Sequence, residues 1–370
     1  MTDLFTPPTL STVAVGVQAN VAAVRSRCRS ELMAVVKADG YGLGAEDVAR
    51  AALGAGCTWL GTTGVSEAAQ LRRAGFDTGI LAWLHPAGMD VESAEAHNVD
   101  IAIGSLEQLM HAFRCARGNL RIHLHVDTGM TRGGLPAYDW PDAMHLAAAG
   151  QADKLFRVVG LMGHLPNADS AKPAANDAGL RSFESAHRMA RRAGLAVDVR
   201  HVATTSATLT DPRTHYDLVR IGAGLVGIDP SGSTTLSPTV SLTCPVVHTR
   251  AVKAGTSVGY GGIGLAGESG FVSVLGIGYA DGLPQHLDAG AHVMIHGRRC
   301  PIVGPVNMDQ IVVETGNWPA SPGTEATIIG VNPGEPTVQL WAQWGNTSPH
   351  NVITGFGQRL QRSLLIKEIV

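Results

Sequence analysis

Residues 31–44, ELMAVVKADGYGLG, contain one complete unit of the pattern on which the fold depends. The apolar run from Glu31 to Val36 predicts a short buried strand, and the three glycines of the segment predict a close, permissive turn. We expect a helix to begin near Ala45. The segment therefore predicts a strand, a turn and a helix in that order, with Lys37 at the carboxyl end of the strand.

The same unit repeats along the first two thirds of the chain. Amphipathic segments such as Val65 to Ala74 and Ser105 to Arg117 separate short apolar runs. The eight runs end near Val36, Thr62, Trp83, Ile103, Val126, Gly163, Ala203 and Ile221. Alternating strands and helices give parallel sheets, and eight repeats over this length fit a closed barrel better than an open doubly wound sheet. We predict an α/β fold with a (β/α)8 barrel over residues 1–234.

The pattern changes after Gly232, where helical periodicity fades and glycine, proline and asparagine turns separate β-rich runs. These runs are Thr239 to Val252, Gly270 to Ile277, His292 to Ile295 and Ala326 to Gly330. A short helix is expected over Thr337 to Trp344. We predict a mostly β second domain over residues 235–370, since 370 residues are too many for one typical domain.

Composition excludes several classes of function. Charged residues are 16% of the chain, the formal net charge is -3 and there is no basic tract, so neither nucleic acid nor an anionic membrane is an expected partner. The segment Met1 to Thr9 lacks the features of a secretion signal, and no apolar stretch has membrane length, so we expect a soluble cytoplasmic protein. The five scattered cysteines predict reduced thiols without structural zinc.

Five side chains with catalytic chemistry follow predicted strand ends. They are Lys37, Arg132, His164, Thr205 and Arg220. Because a (β/α)8 barrel carries its active site at the carboxyl ends of the strands, we expect these residues around one mouth. A lysine held there can have a lowered pKa and attack a carbonyl compound such as pyridoxal 5'-phosphate (PLP). Tyr41, four residues on, could reach the phosphate of such a cofactor, although an ordinary exposed lysine is the alternative.

Residues 34–44 resemble the PLP-lysine segment of alanine racemases, and further segments that match this family follow in its order through both halves of the chain. They are VDTGMTR (126–132), GLMGH (160–164), HVATT (201–205), LVRIG (218–222), GYG (259–261), GYADG (278–282) and NMD (307–309). The resemblance implies a PLP-dependent isomerase, most simply one converting L-alanine to D-alanine. It also implies a head-to-tail homodimer.

The resemblance also implies two bases for proton transfer at the substrate α-carbon. Lys37 would serve one face and Tyr260, from the second domain of the partner subunit, the other. PLP delocalises the electron pair left by the proton. Arg132 and the backbone at Met308 would hold the substrate carboxylate, and Tyr279 would stand at the substrate entrance.

By the same resemblance, Arg220 would face the pyridine nitrogen of PLP. A guanidinium stays protonated and donates to an unprotonated ring nitrogen, which keeps the ring a weaker electron sink and limits side reactions. His164 and His201 would orient this arginine and the cofactor by hydrogen bonds. The phosphate would be held by Tyr41, Thr205 and the backbone amides of Gly222 and Ala223.

Three positions depart from the family pattern. His125 stands where many members have a carbamylated lysine beside the substrate arginine, so that carbamate is excluded. Thr204 and Thr205 replace the usual Asn-Ser, and Gly355 occupies the region where many members place a tyrosine. Loss of the carbamate and of the tyrosine phenol could widen the substrate pocket. His123 and His125 alternate on one strand, but without a third ligand we predict no metal.

Three alternatives stay open at this point. A racemase of serine or of broader specificity would fit the departures. A barrel-type PLP decarboxylase would also use a strand-end lysine, although it would be expected to hold the pyridine nitrogen with a carboxylate rather than with Arg220. A PLP carrier without turnover would need neither the second domain nor Tyr260.

Overall fold

A computed structural model describes residues 7–170 and 172–366, which form two compact units. The first, here called the barrel unit, comprises residues 18–40 and 48–237. The second, the β unit, comprises the described residues up to Val17, then Tyr41–Asp47, then the described residues from Pro238 onward. The first strand of the chain, β1 (Thr9–Val13), therefore belongs to the β unit.

The barrel unit is built around eight parallel strands. They are β2 (Glu31–Val35), β3 (Trp59–Thr62), β4 (Gly79–Ala82), β5 (Asp100–Ile103), β6 (Leu120–His125), β7 (Phe156–Met162), β8 (Val199–His201) and β9 (Leu218–Ile221). The sheet runs in order from β8 back to β2 and then to β9. Its two ends meet through backbone hydrogen bonds from Asp217 N–H to Arg200 O and from Arg220 N–H to Ala203 O, both 3.1 Å. The predicted eight-stranded parallel barrel is confirmed as a nearly closed one.

Helices follow the strands around the barrel. They are α1 (Ala14–Arg25), α2 (Ala45–Gly54), α3 (Val65–Arg73), α4 (Val91–Ala96), α5 (Leu106–Cys115), α6 (Trp140–Ala152), α7 (Asp177–Arg192) and α8 (Thr205–Thr210). Two of these helices begin with a side-chain cap: Asp90 accepts the N–H of Ser93 at the start of α4, and the Ser105 hydroxyl accepts the N–H of Gln108 at the start of α5. Leu109 and Ala112 of this helix are buried, as the amphipathic pattern predicts.

Glycines inside the strands make room for large side chains. A Cβ on Gly79 would lie 2.7 Å from the Trp59 ring. A Cβ on Gly160 would lie 2.0 Å from Nδ1 of His123, so only glycine fits beside that imidazole. The barrel interior is thus shaped around an aromatic ring and a histidine as well as around aliphatic residues.

The β unit holds the remaining strands and two helices. They are β10 (Val240–Val252), β11 (Ser257–Val258), β12 (Gly264–Leu265), β13 (Gly270–Leu275), β14 (His292–Ile295), β15 (Arg298–Pro301), β16 (Ile311–Gly316), β17 (Glu325–Ile329), β18 (Gln361–Leu365), α9 (Val338–Trp344) and α10 (Pro349–Thr354). The main sheet has the order β15-β14-β17-β10-β1-β18, and β13 pairs with both β10 and β16. The predicted β-rich second region and its short helix are confirmed.

Strand β1 belongs to the β unit, although the sequence predicted this part of the chain to lie in the barrel domain. It pairs antiparallel with β10 and parallel with β18, so its partners lie more than two hundred residues along the chain. The predicted division at residues 234 and 235 stays a prediction, and Tyr41–Asp47 groups with the β unit. Within residues 7–170 and 172–366, no helix is both long and apolar enough to cross a membrane.

Candidate active site

The turn after β2 is left-handed. Ala38, Asp39, Gly40 and Tyr41 all have positive φ, at 52°, 53°, 63° and 59°. This conformation costs a non-glycine residue about 1–2 kcal/mol, so neighbouring contacts must hold it. The carboxylate of Glu67 provides such a contact. It accepts the N–H of Ala38 at 2.9 Å and the N–H of Thr63 at 2.7 Å, which ties the turn to the loop after β3.

Lys37 begins this turn and is partly buried. Burial lowers the pKa of its amine most, and the positive charges of Arg132 and Arg220 lower it further, while Glu67 opposes them. A lowered pKa increases the fraction of neutral amine at physiological pH. The environment of Lys37 therefore favours an amine that can act as a nucleophile or a base.

Arg220 lies in β9 and is only 4% exposed. Its Nη1 donates to Nδ1 of His201 at 3.0 Å, and its Nη2 donates to the carbonyl oxygen of Gly163 at 2.8 Å. Nδ1 of His164 lies 3.5 Å from Nη2, at the limit of a hydrogen bond. Burial lowers the pKa of Arg220 to about 10, so the guanidinium stays charged at neutral pH.

Two imidazoles near Arg220 are held neutral. Burial first, and the charge of Arg220 second, lower the pKa of His164 to about 3 and that of His125 to about 4. Arg132 lowers both as well. These mutual effects group Lys37, His125, His164 and Arg220 with Arg132 in one electrostatic environment.

Arg132 is exposed in the loop that follows β6. Asp127 organises this loop, because its Oδ1 accepts the N–H groups of Gly129, Met130 and Thr131 at 2.9, 3.0 and 3.2 Å. Thr131 takes a positive φ of 55° directly before the arginine. The Asp-Thr-Gly segment therefore fixes the backbone from which Arg132 extends.

Thr205 and the turn after β9 form a small cradle of polar groups. Oγ1 of Thr205 accepts the N–H of Gly222 at 3.3 Å and the N–H of Gly224 at 3.0 Å. A Cβ on Gly224 would lie 2.7 Å from Cγ2 of Thr205, so the contact depends on glycine. Because Oγ1 accepts these two amides, the O–H of Thr205 is left to donate to an anion such as a phosphate. Gly224 was missed from the sequence, although it follows the predicted Gly222 and Ala223 directly.

Tyr41 closes the left-handed turn. Burial raises the pKa of its phenol to about 12, so the hydroxyl stays protonated and can donate. Its ring lies 6.1 Å from the ring of His350 within the β unit.

The β unit brings two of its predicted site residues together. The N–H of Tyr279 donates to Asn307 O at 2.9 Å, and the N–H of Ala280 donates to Met308 O at 3.0 Å. Tyr279 and Met308 are both exposed. Tyr260 is 80% exposed and begins a glycine-rich turn of its own.

Arg359, which was missed from the sequence, connects the same two segments. Its Nε and Nη2 donate to both carboxylate oxygens of Asp281 at 3.0 Å, and its Nη1 donates to Oδ1 of Asp309 at 2.6 Å. The two aspartates belong to the predicted GYADG and NMD segments. Two acidic residues in neighbouring segments of the site could have indicated, from the sequence alone, a basic residue that pairs with both.

Gly355, one of the departures from the family pattern, lies against the backbone of neighbouring segments. A Cβ on Gly355 would lie 2.9 Å from Asn351 O, and one on Gly282 would lie 2.4 Å from Gly355 O. A side chain at Gly355 would therefore require the neighbouring backbone to shift, while Phe356 beside it is buried. Among residues 7–170 and 172–366, no group of three or more His, Cys, Asp or Glu side chains is arranged to hold a metal ion. All five cysteines are unpaired.

Comparisons with known proteins agree with this geometry. Sequence models of the alanine racemase N-terminal and C-terminal domains match residues 16–230 and 239–364. An alanine racemase of Thermobifida fusca is 39% identical over 354 residues, which cover 94% of this chain and 95% of that protein. The crystal structure of alanine racemase from D-cycloserine-producing Streptomyces lavendulae has a TM-score of 0.93 at 35% identity, over 98% of both chains. The structure of alanine racemase from Bartonella henselae with covalently bound pyridoxal phosphate has a TM-score of 0.83 at 25% identity, over 97% of this chain and 100% of that one.

Proposed function

This chain belongs to the alanine racemase family, and from that membership we propose how its residues interconvert L-alanine and D-alanine. The activity is that of an isomerase. The observation that supports the residue roles most strongly is the electrostatic coupling of Lys37 to Arg132 and Arg220. The decarboxylase alternative has less support. Such an enzyme would be expected to hold the pyridine nitrogen of PLP with a carboxylate, whereas here the residue assigned to that nitrogen is Arg220, which hydrogen bonds to His201 and Gly163 fix in place.

PLP is the cofactor of this family, and the donor set described above fits it. When bound, PLP supplies an electron sink for the pair left at the substrate α-carbon. We assign its carbonyl carbon to the amine of Lys37 and its pyridine nitrogen to Arg220. Its phosphate is assigned to Tyr41, Thr205, Gly222 and Ala223. The Thr205 hydroxyl supports the phosphate assignment, since its oxygen accepts the two turn amides and its O–H can donate to a phosphate oxygen.

Two bases would then act on opposite faces of the α-carbon. Lys37 holds or releases one proton at Nζ, helped by its lowered pKa. Tyr260 does the same at its phenol oxygen. Because Tyr260 is 80% exposed in one chain, its use as a base calls for a second copy that covers it. We therefore propose a head-to-tail homodimer in which Tyr260 completes the partner's site.

The experiment that tests these roles combines two variants. Lys37→Ala and Tyr260→Phe should each abolish racemisation of alanine. Lys37→Ala should also lose the visible absorption of the PLP-loaded protein, whereas Tyr260→Phe should keep it. Tyr138→Phe is the matched control, because Tyr138 is 82% exposed and has no assigned role.

Mixing the two inactive proteins under subunit exchange tests the dimer. Each heterodimer would contain one site with both bases intact, so activity should return in up to about half of its sites. No recovery despite demonstrated exchange would show that the site is built within one chain. Equal loss of cofactor from Tyr260→Phe would instead make Tyr260 structural.

Substrate preference is a separate proposal, and it rests on the departures. Arg132 and the backbone at Met308 would hold the carboxylate. We propose that the pocket for the substrate side chain is looser than in the many family members that have a carbamylated lysine at the position of His125 and a tyrosine in the region of Gly355. An apolar site rejects an added hydroxyl by only about a hundredfold even when well shaped. L-Serine should therefore compete measurably with L-alanine in kcat/KM. A preference for alanine above about a thousandfold would contradict the loose pocket.

The location of the protein in the cytoplasm, expected from the sequence, stays a prediction.

A further inference from the structure

A series of buried polar side chains runs through the barrel interior behind Arg220. Nη1 of Arg220 contacts Nδ1 of His201 at 3.0 Å, and Nε2 of His201 contacts Nδ1 of His123 at 2.8 Å. Nε2 of His123 lies 3.4 Å from Oδ2 of Asp100. His201, His123 and Asp100 are fully buried. Arg121, partly exposed, forms an ion pair with Oδ1 of Asp100 at the far end. We call Arg220, His201, His123 and Asp100 the interior series.

The barrel makes room for this series specifically. His123 lies on β6 and His201 on β8, and β7 runs between these strands. The two imidazoles meet across β7 at Gly160, which pairs with His123 and has no side chain to block them. Their rings are 5.0 Å apart and nearly perpendicular. A core built only for packing would fill this space with aliphatic groups.

The chemistry of the two ends fixes every proton in the series. A guanidinium only donates, so Nδ1 of His201 must accept. Burial and the charge of Arg220 hold the pKa of His201 well below its usual range, so the ring is neutral and carries its proton on Nε2. That N–H donates to Nδ1 of His123, whose own proton is then on Nε2. The N–H at Nε2 of His123 faces the carboxylate of Asp100, which can only accept a hydrogen bond.

We propose that Asp100 and His123 are positioning residues for Arg220. By holding His201 in the tautomer with Nδ1 unprotonated, they give Arg220 an acceptor and so fix its orientation toward the cofactor ring. Without Asp100, the opposite tautomers become accessible, and an N–H of His201 would then face an N–H of Arg220. This inference rests on the proposed function of Arg220, although the tautomers themselves do not depend on it.

The first readout is independent of catalysis. In holoenzyme labelled with ¹⁵N-histidine, nitrogen NMR should show His123 and His201 as neutral rings protonated on Nε2, with signals assigned through His123→Asn and His201→Asn. Asp100→Asn keeps the volume and removes the acceptor charge. It should shift part of the His201 signal to the Nδ1-protonated form. Asp198→Asn is the matched control, because Asp198 pairs with Arg157 at the surface of the same unit.

The second readout separates positioning from substrate binding. In metal sites, the partners that orient a ligating histidine typically contribute about 10–100-fold to metal affinity or activity. By analogy, we expect a loss of about that size in kcat and in PLP affinity for Asp100→Asn. KM for L-alanine should change by less than about twofold, because Arg132 is not part of the series. The double variant Asp100→Asn with Arg121→Gln removes both charges of the ion pair and should behave in the same way if the single variant folds poorly.

Unchanged His201 tautomers in both variants, or a rise of KM that matches the fall of kcat, would overturn the proposal. If wild-type protein did not racemise alanine, the proposed function would fail while the NMR result still decided the state of the interior series.

Discussion

Glu67 offers a sharp test of how the site is held, because one carboxylate serves two purposes. Its oxygens accept the N–H groups of Ala38 and Thr63, and its charge opposes the lowering of the Lys37 pKa. Glu67→Gln keeps the size and shape of the side chain but replaces one of its two acceptor oxygens by an NH2 group. This NH2 group must then face the backbone N–H of Ala38 or of Thr63, so one hydrogen bond is lost. A hydrogen bond to a charged group contributes about 1.5–3 kcal/mol, and we expect the left-handed turn to lose about 2 kcal/mol of local stability.

Hydrogen exchange measured by mass spectrometry checks the first effect. A loss of 2 kcal/mol corresponds to about thirtyfold faster exchange in peptides that cover residues 36–41 and 61–65. The second effect is a further fall in the pKa of Lys37, since the charge that raised it is gone. It is measured from the pH dependence of Lys37 modification by an amine-reactive reagent in cofactor-free protein.

Glu92→Gln is the matched control for this experiment. Glu92 also lies in the first turn of a helix, so it shares the helix-dipole contribution of Glu67 but is exposed on α4. It should change neither quantity. Unaltered exchange in the turn of Glu67→Gln, or a higher pKa of Lys37, would refute the reasoning.

Three further outcomes are expected. Gly224→Ala should weaken PLP binding about tenfold by crowding the neighbouring threonine, as judged by equilibrium dialysis, whereas Gly54→Ala, which meets no atom within 4 Å, should not. The folded-state pKa values of His125 and His164, about 4 and 3, lie below the value near 6.5 in the unfolded chain. Between these pH values the unfolded chain therefore binds more protons than the folded protein does. Stability should therefore fall as pH drops from about 6.5 toward 4, by about 1.4 kcal/mol per pH unit for each histidine, and urea midpoints that rise on acidification would contradict this. Arg359→Lys cannot keep both carboxylate contacts, so KM for L-alanine should rise more than kcat falls in steady-state kinetics, and an unchanged KM would count against the link.

The sequence predicted those parts of the molecule that depend on local pattern. The buried strands end within a residue or two of the predicted positions, because apolar runs and turn residues are neighbours in the chain. The left-handed turn was not predicted, since Ala38 is a residue type that seldom adopts positive φ and several consecutive residues with positive φ are unusual. Its conformation depends on Glu67, which lies almost thirty residues away.

The parts of the site that escaped prediction are contacts between distant segments. The pairing of His123 with His201 needs Gly160 between them, and neither spacing nor composition reveals that geometry. From the sequence alone, His123 had no role once a metal site had been set aside for want of a third ligand, whereas in the fold both its nitrogens have protein partners. Arg359 likewise acquires its meaning only when the Asp281 and Asp309 segments are seen side by side.

The place of β1 in the sheet of the β unit has a consequence for biosynthesis. This strand leaves the ribosome before the barrel segments, and its partners β10 and β18 begin only at Val240 and Gln361. At about 5–20 residues per second, β1 waits on the order of ten to fifty seconds for its first partner strand. During that time its unpaired edge is open to other chains, while the barrel segments between can already be folding. Slowing of translation before Val240 should therefore raise the fraction of nascent chains captured by chaperones or lost to aggregation.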